Sequence, residues 1–475
     1  VRILLLAMPD VSDALDYFVR MPNLALVSLA GNLPGHEVRV LDLVAVRRRL
    51  RATLTSVMAK FRPELVGLSA MTFQFDTLLR VARFLKRLSP GLPVAAGGYH
   101  ASLLAREITA AQPDLPLDFI VRGEGEFTLQ ELADALETAA PPLSRILGLS
   151  YRDGTEWRHN PDRPLSDPAL IRLPRREARL CQEFYILKWP TDVVETSRGC
   201  PFKCKFCSIN QMYGPHHRKF PVEWVMADLE QIRDRGVQSV FFTDDNITFD
   251  PAHFRDICQA ILDRGLNQIR FTTQVSARDL AQHPDLVPLM ARANLKLVFV
   301  GYESMDSGSL GGMRKPSVPE DNRRVAELFY QHGIHSIAGC IVGYPDDTWR
   351  TVIRNFSSIK RLRPDVIYAQ FLTPYPRTTI RAELLAAGLV ENVGDFRHYD
   401  GFTCNIRTRH LSRASLHRVL KLQNILCNFD PRMFKKNHLL LEFPVYYAGL
   451  VGRSILFYLT SIVKAGRFHR TFDLD

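Results

Sequence analysis

Three cysteines, Cys200, Cys204 and Cys207, fall within eight residues in the stretch SRGCPFKCKFCSI. Thiolates so close in a chain that otherwise scatters its cysteines suggest a soft metal centre. On an uninterrupted helix, positions i, i+4 and i+7 share one face, so a buried stripe is one reading of the spacing. Gly199 and Pro201 argue for a tight loop instead. A zinc site would need a fourth ligand, for which His216 or His217 is near enough in sequence. A 4Fe-4S cube held by three thiolates would leave one iron open, and an open iron is a reaction site.

The remaining cysteines, 181, 258, 340, 404 and 427, are spread along 475 residues and read as core side chains, not as a disulfide framework. With 46% hydrophobic and 23% charged residues the composition is globular, which excludes a disordered chain and allows two or three domains. No N-terminal stretch combines a basic start, an apolar run and a small-residue cleavage site, so a cytoplasmic location is expected. The net charge of +11 is uneven. From Gly401 to Asp475 there are 12 Lys and Arg against 4 Asp and Glu, a net +8, which suits a solvated basic face, an acidic ligand or an anionic membrane surface.

The elements that must position the cysteines come in two series. Residues 1–140 alternate short apolar strands with amphipathic helices. The strands are Ile3–Ala7, Val38–Leu43, Leu65–Ala70, Val94–Ala96 and Phe119–Val121, and the helices include Thr77–Leu88 and Phe127–Leu136. This pattern predicts a doubly wound parallel sheet whose ligand lies beyond the strand carboxyl ends. Residues 141–190 read as a connector with a hairpin at Leu149–Arg158.

From 191 to 380 a second series follows, with strands Val193–Thr196, Ser239–Thr243, Ile269–Gln274, Leu297–Gly301, Ile337–Val342 and Ile367–Leu372. Helices such as Val222–Arg235, Pro251–Arg264 and Glu320–His332 fill the gaps. Six parallel strands cannot close the eight-stranded barrel, so an open partial (β/α)6 barrel is expected, its site at the strand carboxyl ends. The cysteines directly follow its first strand. Residues 381–475 are expected to be a mostly helical, basic and apolar extension.

The C-x3-C-x2-C spacing, with Phe206 before the last cysteine and a six-unit βα series behind it, resembles the radical S-adenosylmethionine enzymes. The resemblance covers about 190 to 380. It implies a 4Fe-4S cluster on Cys200, Cys204 and Cys207 as the catalytic centre, with S-adenosylmethionine chelated at the open iron and cleaved to a 5'-deoxyadenosyl radical. It also implies contacts to that ligand from Asp244, Asp245 and Asn246 of FTDDN, from Gln274, Ser276 and Arg278 of TTQVSARDL, and from Glu303 and Ser304 of GYES. Ile341 and Gly343 of GCIVGYP match the segment along the adenine. YPRT, from Tyr375 to Thr378, is similar to a PYPGT-type turn, with Arg377 in place of the usual glycine. Tyr213, His216, His217, Tyr302 and Tyr344 are further candidates to face the cavity, and Tyr302 and Tyr344 are taken as catalytic.

A doubly wound domain ahead of such a barrel is similar to the cobalamin-binding class of these enzymes. VRILLLAMP, GHEVRVLDL, VGLSAMT, AAGGYH and VRGEGE carry the likeness through residues 1–138. The likeness implies cobalamin contacts from Met8, Pro9, Ser69, Met71, Thr72, Gly97, Gly98, Tyr99, His100, Gly123, Glu124 and Gly125. Many cobalamin proteins carry D-x-H-x-x-G after the first strand. Here the region reads MPDVSDALDYF, so cobalamin is expected to bind without a histidine from that loop. His100 is the nearest alternative donor.

Two such cofactors imply a methyltransferase that delivers a methyl group from methylcobalamin to a radical on an unactivated carbon. Cobalamin-assisted cyclisation, rearrangement or oxidation without methyl transfer is the alternative, and a non-enzymatic cobalamin or redox sensor makes poor use of the barrel motifs. Methylthiolation of tRNA is set aside because residues 1–138 hold no cysteine for a second cluster, and basicity alone does not indicate nucleic acid. The expected partners are a small, hydrophobic substrate and an external one-electron reductant such as flavodoxin or ferredoxin, with the chain acting as a monomer.

The stretch Leu439–Val463 is strongly apolar but interrupted by Glu442, Pro444 and Arg453, unlike a membrane span. A packed helical subdomain is one reading. The other is a helix in a membrane interface, with Lys435, Lys436, Lys464, Arg467 and Arg470 at headgroups.

Overall fold

A computed structural model describes residues 1–11, 19–112, 114–187, 189–428 and 474. The first strand, Arg2–Ala7, carries the run Ile-Leu-Leu-Leu with no exposure at any of the four side chains. A strand apolar on both faces must be covered on both, and here two separate hydrophobic clusters do so from opposite sides of one sheet. The parallel strands lie in the order Glu37–Asp42, Arg2–Ala7, Leu65–Ser69, Val94–Gly97, Phe119–Val121. The antiparallel hairpin Leu149–Asp153 and Glu156–His159 extends this sheet from its last parallel strand. Connections leave the first strand to one side and then the other, which opens a crevice between the ends of Arg2–Ala7 and Leu65–Ser69.

The helix Phe75–Leu88 shows why the sequence folds this way locally. Phe75, Leu78, Leu79, Ala82 and Leu85 recur at three- and four-residue spacing and are buried, while Asp76 opens the helix and Lys86 and Arg87 close it. The charges at the two ends complement the helix dipole. It begins two residues before the expected Thr77, because Gln74 caps the preceding turn by accepting the Met71 N–H at 2.9 Å.

In the second sheet six strands run parallel in sequence order: Trp189–Val194, Ser239–Phe242, Arg270–Val275, Leu295–Glu303, His335–Val342 and Val366–Phe371. The sheet is a curled half-barrel, as its strand number requires. Parity along Leu295–Glu303 separates its two faces. Val298, Val300 and Tyr302 are fully buried in the core, whereas Phe299, Gly301 and Glu303 face the partly open interior. Two short antiparallel strands continue the sheet past Trp189–Val194. Tyr185–Ile186 comes from the connector, and Val19–Arg20 belongs to the first domain. This pairing across the two domains is not visible in the sequence pattern.

On the other side of the half-barrel, Phe371 donates its N–H to Gly401 O at 2.8 Å. The nearby Phe396 reaches the first domain, where its ring meets that of His100 at 5.1 Å. The helix Arg413–Asn428 backs the last strand, and Asn428 exchanges two 2.8 Å hydrogen bonds with the Ile367 backbone. The apolar stretch Leu439–Val463 and its flanking lysines and arginines lie outside the described residues. Among the described residues no helix is long and apolar enough to cross a membrane.

Candidate active site

The short antiparallel pair Ser197–Arg198 and Arg218–Lys219 brackets the cysteine segment. Gly199 has φ of +86°, and a Cβ there would lie 2.4 Å from the His216 carbonyl, so only glycine fits this entry. Two carboxylates from the end of the next strand hold the same entry. Asp244 accepts from Thr196 Oγ1 at 2.7 Å and Ser197 Oγ at 2.6 Å, and Asp245 accepts the Gly199 N–H at 2.9 Å. Asn210 Nδ2 donates to the carbonyls of Cys200 and Phe202 at 2.9 and 2.7 Å. Lys205 donates its N–H to Met313 O at 3.0 Å and accepts from the Ile380 N–H at 3.1 Å. The cysteines therefore sit on a pinned loop, and the reading as one face of a continuous helix is removed.

All eight cysteines of the chain are free thiols. Cys181 is half-buried and the other four outside the loop are buried, in keeping with their core reading. Burial pushes the Cys200 thiol up, that of Cys204 to about 11 and that of Cys207 to about 12, each of the latter two further raised by its cysteine neighbours. Thiols in this state give up their protons to a soft cation and not to water at neutral pH. Among the described residues no three cysteine, histidine or acidic side chains converge on a point fit for a single metal ion. His216 is exposed and His217 packs on Phe249 at 5.1 Å, so neither completes a zinc site.

The S-adenosylmethionine candidates divide by exposure. Asp245, Gln274, Arg278, Glu303, Ile341 and Tyr375 retain access to solvent at the strand carboxyl ends, with Arg278 lying over the Phe202 ring at 5.6 Å. Phe206 packs against the barrel core beside them. Asp244, Asn246, Ser276 and Ser304 are buried and act as scaffold. Asp244 holds the loop entry, and Asn246 donates to Asp279 at 3.0 Å. Ser276 caps the helix Ala277–Gln282, and Ser304 accepts the Asp306 N–H at 3.1 Å. Gly343 gives its N–H to Asp347 at 2.9 Å. Arg377 keeps the backbone of the glycine it replaces, with φ of +66°, and its side chain crosses to Glu107 of the first domain.

Of the two tyrosines expected to be catalytic, Tyr302 is a core residue. It shares the parity of Val298 and Val300 and has no exposure, so its side chain is turned from the interior. Tyr344 is also buried, and among the described residues the hydroxyl of neither tyrosine has a hydrogen-bond partner.

A cleft of about 350 Å³ opens where the carboxyl ends of the first sheet meet Ser197 and Arg198, just before the cysteine loop, and Met212 and Tyr213, just after it. Ser69, Met71, Gly97, Gly98, Tyr99, Gly123, Glu124 and Gly125 line it from the first domain. Four expected residues do not. Met8, Pro9 and Thr72 are buried beneath the sheet ends, and His100 is held between Phe75 and Phe396 at 4.6 and 5.1 Å. Burial there drops the His100 imidazole to about 4. Gly98 has φ of +89°, and a Cβ on it would stand 2.6 Å from Ala70 O, so bare backbone forms the cleft floor.

From the barrel, Thr243, Asp245, Met212 and Tyr213 face the same cleft, with the Tyr213 ring edge-on to Tyr99 at 6.4 Å. Arg198 and Arg218 seal one wall by gripping Glu124 at 3.0 and 2.7 Å. Glu124 is thus an inter-domain anchor as well as a lining residue. Sequence reasoning missed both arginines, Met212, and Lys315, which pairs with Glu303 at 3.1 Å. Only Arg198 carried a signal, its place two residues before Cys200.

Residues 194–357 match the Radical SAM superfamily and residues 15–133 match the B12 binding domain. The chain is a radical SAM enzyme with a B12-binding domain. Among its relatives is an uncharacterised methyltransferase of Pyrococcus horikoshii, PH0819, 29% identical over 91% of this chain and 94% of the relative. Another is the anaerobic magnesium-protoporphyrin IX monomethyl ester cyclase of a Synechocystis species, 25% identical over 92% and 88% of the two chains. The fold matches that of the radical S-adenosylmethionine methyltransferase TsrM from Kitasatospora setae, solved with cobalamin and a [4Fe-4S] cluster bound. The TM-score is 0.69 at 21% identity, covering 88% of this chain and 85% of that one.

The residues present fit the cofactors these domains imply. The radical SAM domain offers three thiols beside a cation for a 4Fe-4S cluster, and an open rim for S-adenosylmethionine. The B12-binding domain offers a glycine-floored crevice at the carboxyl ends of its strands for cobalamin.

Proposed function

We propose that the enzyme transfers a methyl group from S-adenosylmethionine, by way of cobalamin, to an unactivated carbon of a small apolar substrate. One observation carries this reading: the glycine floor of the B12-binding domain faces, across a single cleft, residues of the radical SAM domain that flank the cysteine loop, Arg198 before it and Met212 and Tyr213 after it, with Tyr99 and Tyr213 edge to face between them. When bound, the two cofactors supply a radical initiator and a methyl carrier that together reach carbons beyond ordinary nucleophilic transfer. The chain's own residues position and enclose them. Asp244 and Asp245 fix the loop entry, Arg198 and Arg218 join the walls, and Tyr99 and Tyr213 narrow the passage and exclude water.

The apolar substrate class draws support from the barrel interior. Phe299, Tyr368 and Phe402 stand there half-buried in an edge-to-face ladder with centroids 5.6 and 5.3 Å apart. Such faces take planar or hydrocarbon groups. An external one-electron reductant of the flavodoxin or ferredoxin kind completes the reading. Cyclisation without methyl transfer is the second reading, favoured by the Synechocystis relative. Turnover with methyl-labelled S-adenosylmethionine separates the two. Label in the product supports methylation, and unlabelled product formed at full turnover rejects it.

A further inference from the structure

Lys315 follows the short helix Ser307–Gly312, where no local pattern in the sequence points to chemistry. Its side chain reaches the carboxyl end of the strand Leu295–Glu303. Only 13% of it is exposed, and Nζ lies 3.1 Å from Glu303 Oε1. Three features of the backbone prepare this pair. Gly301 leaves the space, since a Cβ there would stand 2.6 Å from Glu303 Oε1 and 3.1 Å from Lys315 Nζ. Glu303 adopts φ of +60°, a strained conformation for a residue with a side chain. Met313, two residues before Lys315, accepts the N–H of Lys205, next to Cys204, at 3.0 Å. The turn that carries the cation and the loop that carries the thiols are thus one hydrogen-bonded unit.

The charge lies beside the thiols: the turn that carries Lys315 is hydrogen-bonded to the residue next to Cys204, and Lys315 interacts electrostatically with Cys204 and Cys207. A cation at a buried site acts through a low dielectric and favours whichever neighbouring state is more negative. For a cluster on three thiolates that state is the reduced one, and local charge is one of the levers that set cluster potentials.

We propose that Lys315 is the positioning cation that sets the reduction potential of the cluster held by Cys200, Cys204 and Cys207, with Glu303 as its counter-charge. The inference rests on the cluster assignment and not on the reaction that follows, so its failure leaves methyl transfer standing. The step it governs is the entry of one electron from the external reductant into the cluster. Nothing else changes hands.

The test is a potentiometric titration of the reconstituted full chain, followed by electron paramagnetic resonance with dithionite as reductant and no S-adenosylmethionine. Lys315→Met is expected to move the midpoint to a more negative value, Lys315→Arg to leave it near that of the unaltered protein, and Glu303→Gln to move it the opposite way. An unchanged midpoint in Lys315→Met at equal iron and sulfide content overturns the proposal, even if its affinity for S-adenosylmethionine falls. Where Lys315→Met does not hold its cluster, Glu303→Gln decides, and a negative or absent shift there overturns the proposal.

Discussion

Arg198 donates to Glu126 across the domain boundary at 2.8 Å while the same guanidinium holds Glu195, on its own side, at 2.7 Å. Glu126 also accepts from Ser28 Oγ at 2.9 Å within its own domain, while its counter-charge, Arg198, comes from the other. Removing one partner of a buried pair leaves an uncompensated charge, at a cost of about 3–5 kcal/mol. Arg198→Met is expected to lose stability of that order in chemical denaturation and to retain less cobalamin after gel filtration. Arg198→Lys is expected to fall between, since an ammonium cannot span the same carboxylates as a planar fork.

Each of Cys200→Ala, Cys204→Ala and Cys207→Ala is expected to reduce bound iron from about four per chain to a small residue after anaerobic reconstitution. Production of 5'-deoxyadenosine should fall to the background of protein without cluster. Cys258→Ala, made in a buried cysteine on the helix Pro251–Asp263, outside the loop, is expected to keep its iron and serves as the control. Iron and sulfide assays read both.

Gly98→Ala tests the cleft floor. Its backbone conformation is open only to glycine at acceptable cost, a penalty of about 1–3 kcal/mol for other residues. The added Cβ also meets the Ala70 carbonyl, which cannot rotate away. The expected outcome is a lower melting temperature and a drop of at least tenfold in cobalamin affinity, read by the absorbance of the bound corrin. Gly123→Ala, where a Cβ would meet nothing, carries only the strain of its φ of +74° and is expected to bind more corrin than Gly98→Ala.

His100 gives a pH dependence with a definite sign. Burial between Phe75 and Phe396 holds its imidazole at about 4, below the ordinary 6.5, so the folded protein favours the neutral ring. Its contribution to stability is complete above pH 6.5 and is lost as pH falls toward 4, by up to ~1.4 kcal/mol for each unit crossed. His100→Phe is expected to flatten that part of the stability curve. Thermal melts of the two proteins from pH 7 to 4.5 check it.

Much of this was legible in the sequence because it is local. The runs of the first sheet and the alternating units of the half-barrel are fixed by period and turn residues, and Gly199 and Pro201 already argued against a helix through the cysteines. Tyr302 was misread although the signal was present, since parity along Leu295–Glu303 allows only one of Tyr302 and Glu303 to face the interior. Lys315, Arg218 and the packing of Phe396 on His100 were not legible, because each depends on segments 12 to almost 300 residues apart meeting in space. His100 itself was placed near the ligand by the likeness of the AAGGYH motif that contains it. The helix Tyr99–Leu103 that starts there sends adjacent side chains in different directions, Tyr99 to the cleft and His100 to the core.

The strand Val19–Arg20 leaves its own domain to finish the sheet of the other. A protein cut between 140 and 184 would strip that border from the half-barrel and bare the backbone of Tyr185–Ile186, an invitation to stick to neighbouring molecules. Efforts to transplant the cobalamin module onto another catalytic barrel, or to produce either half alone, would need to carry this small splice along with the fragment it completes.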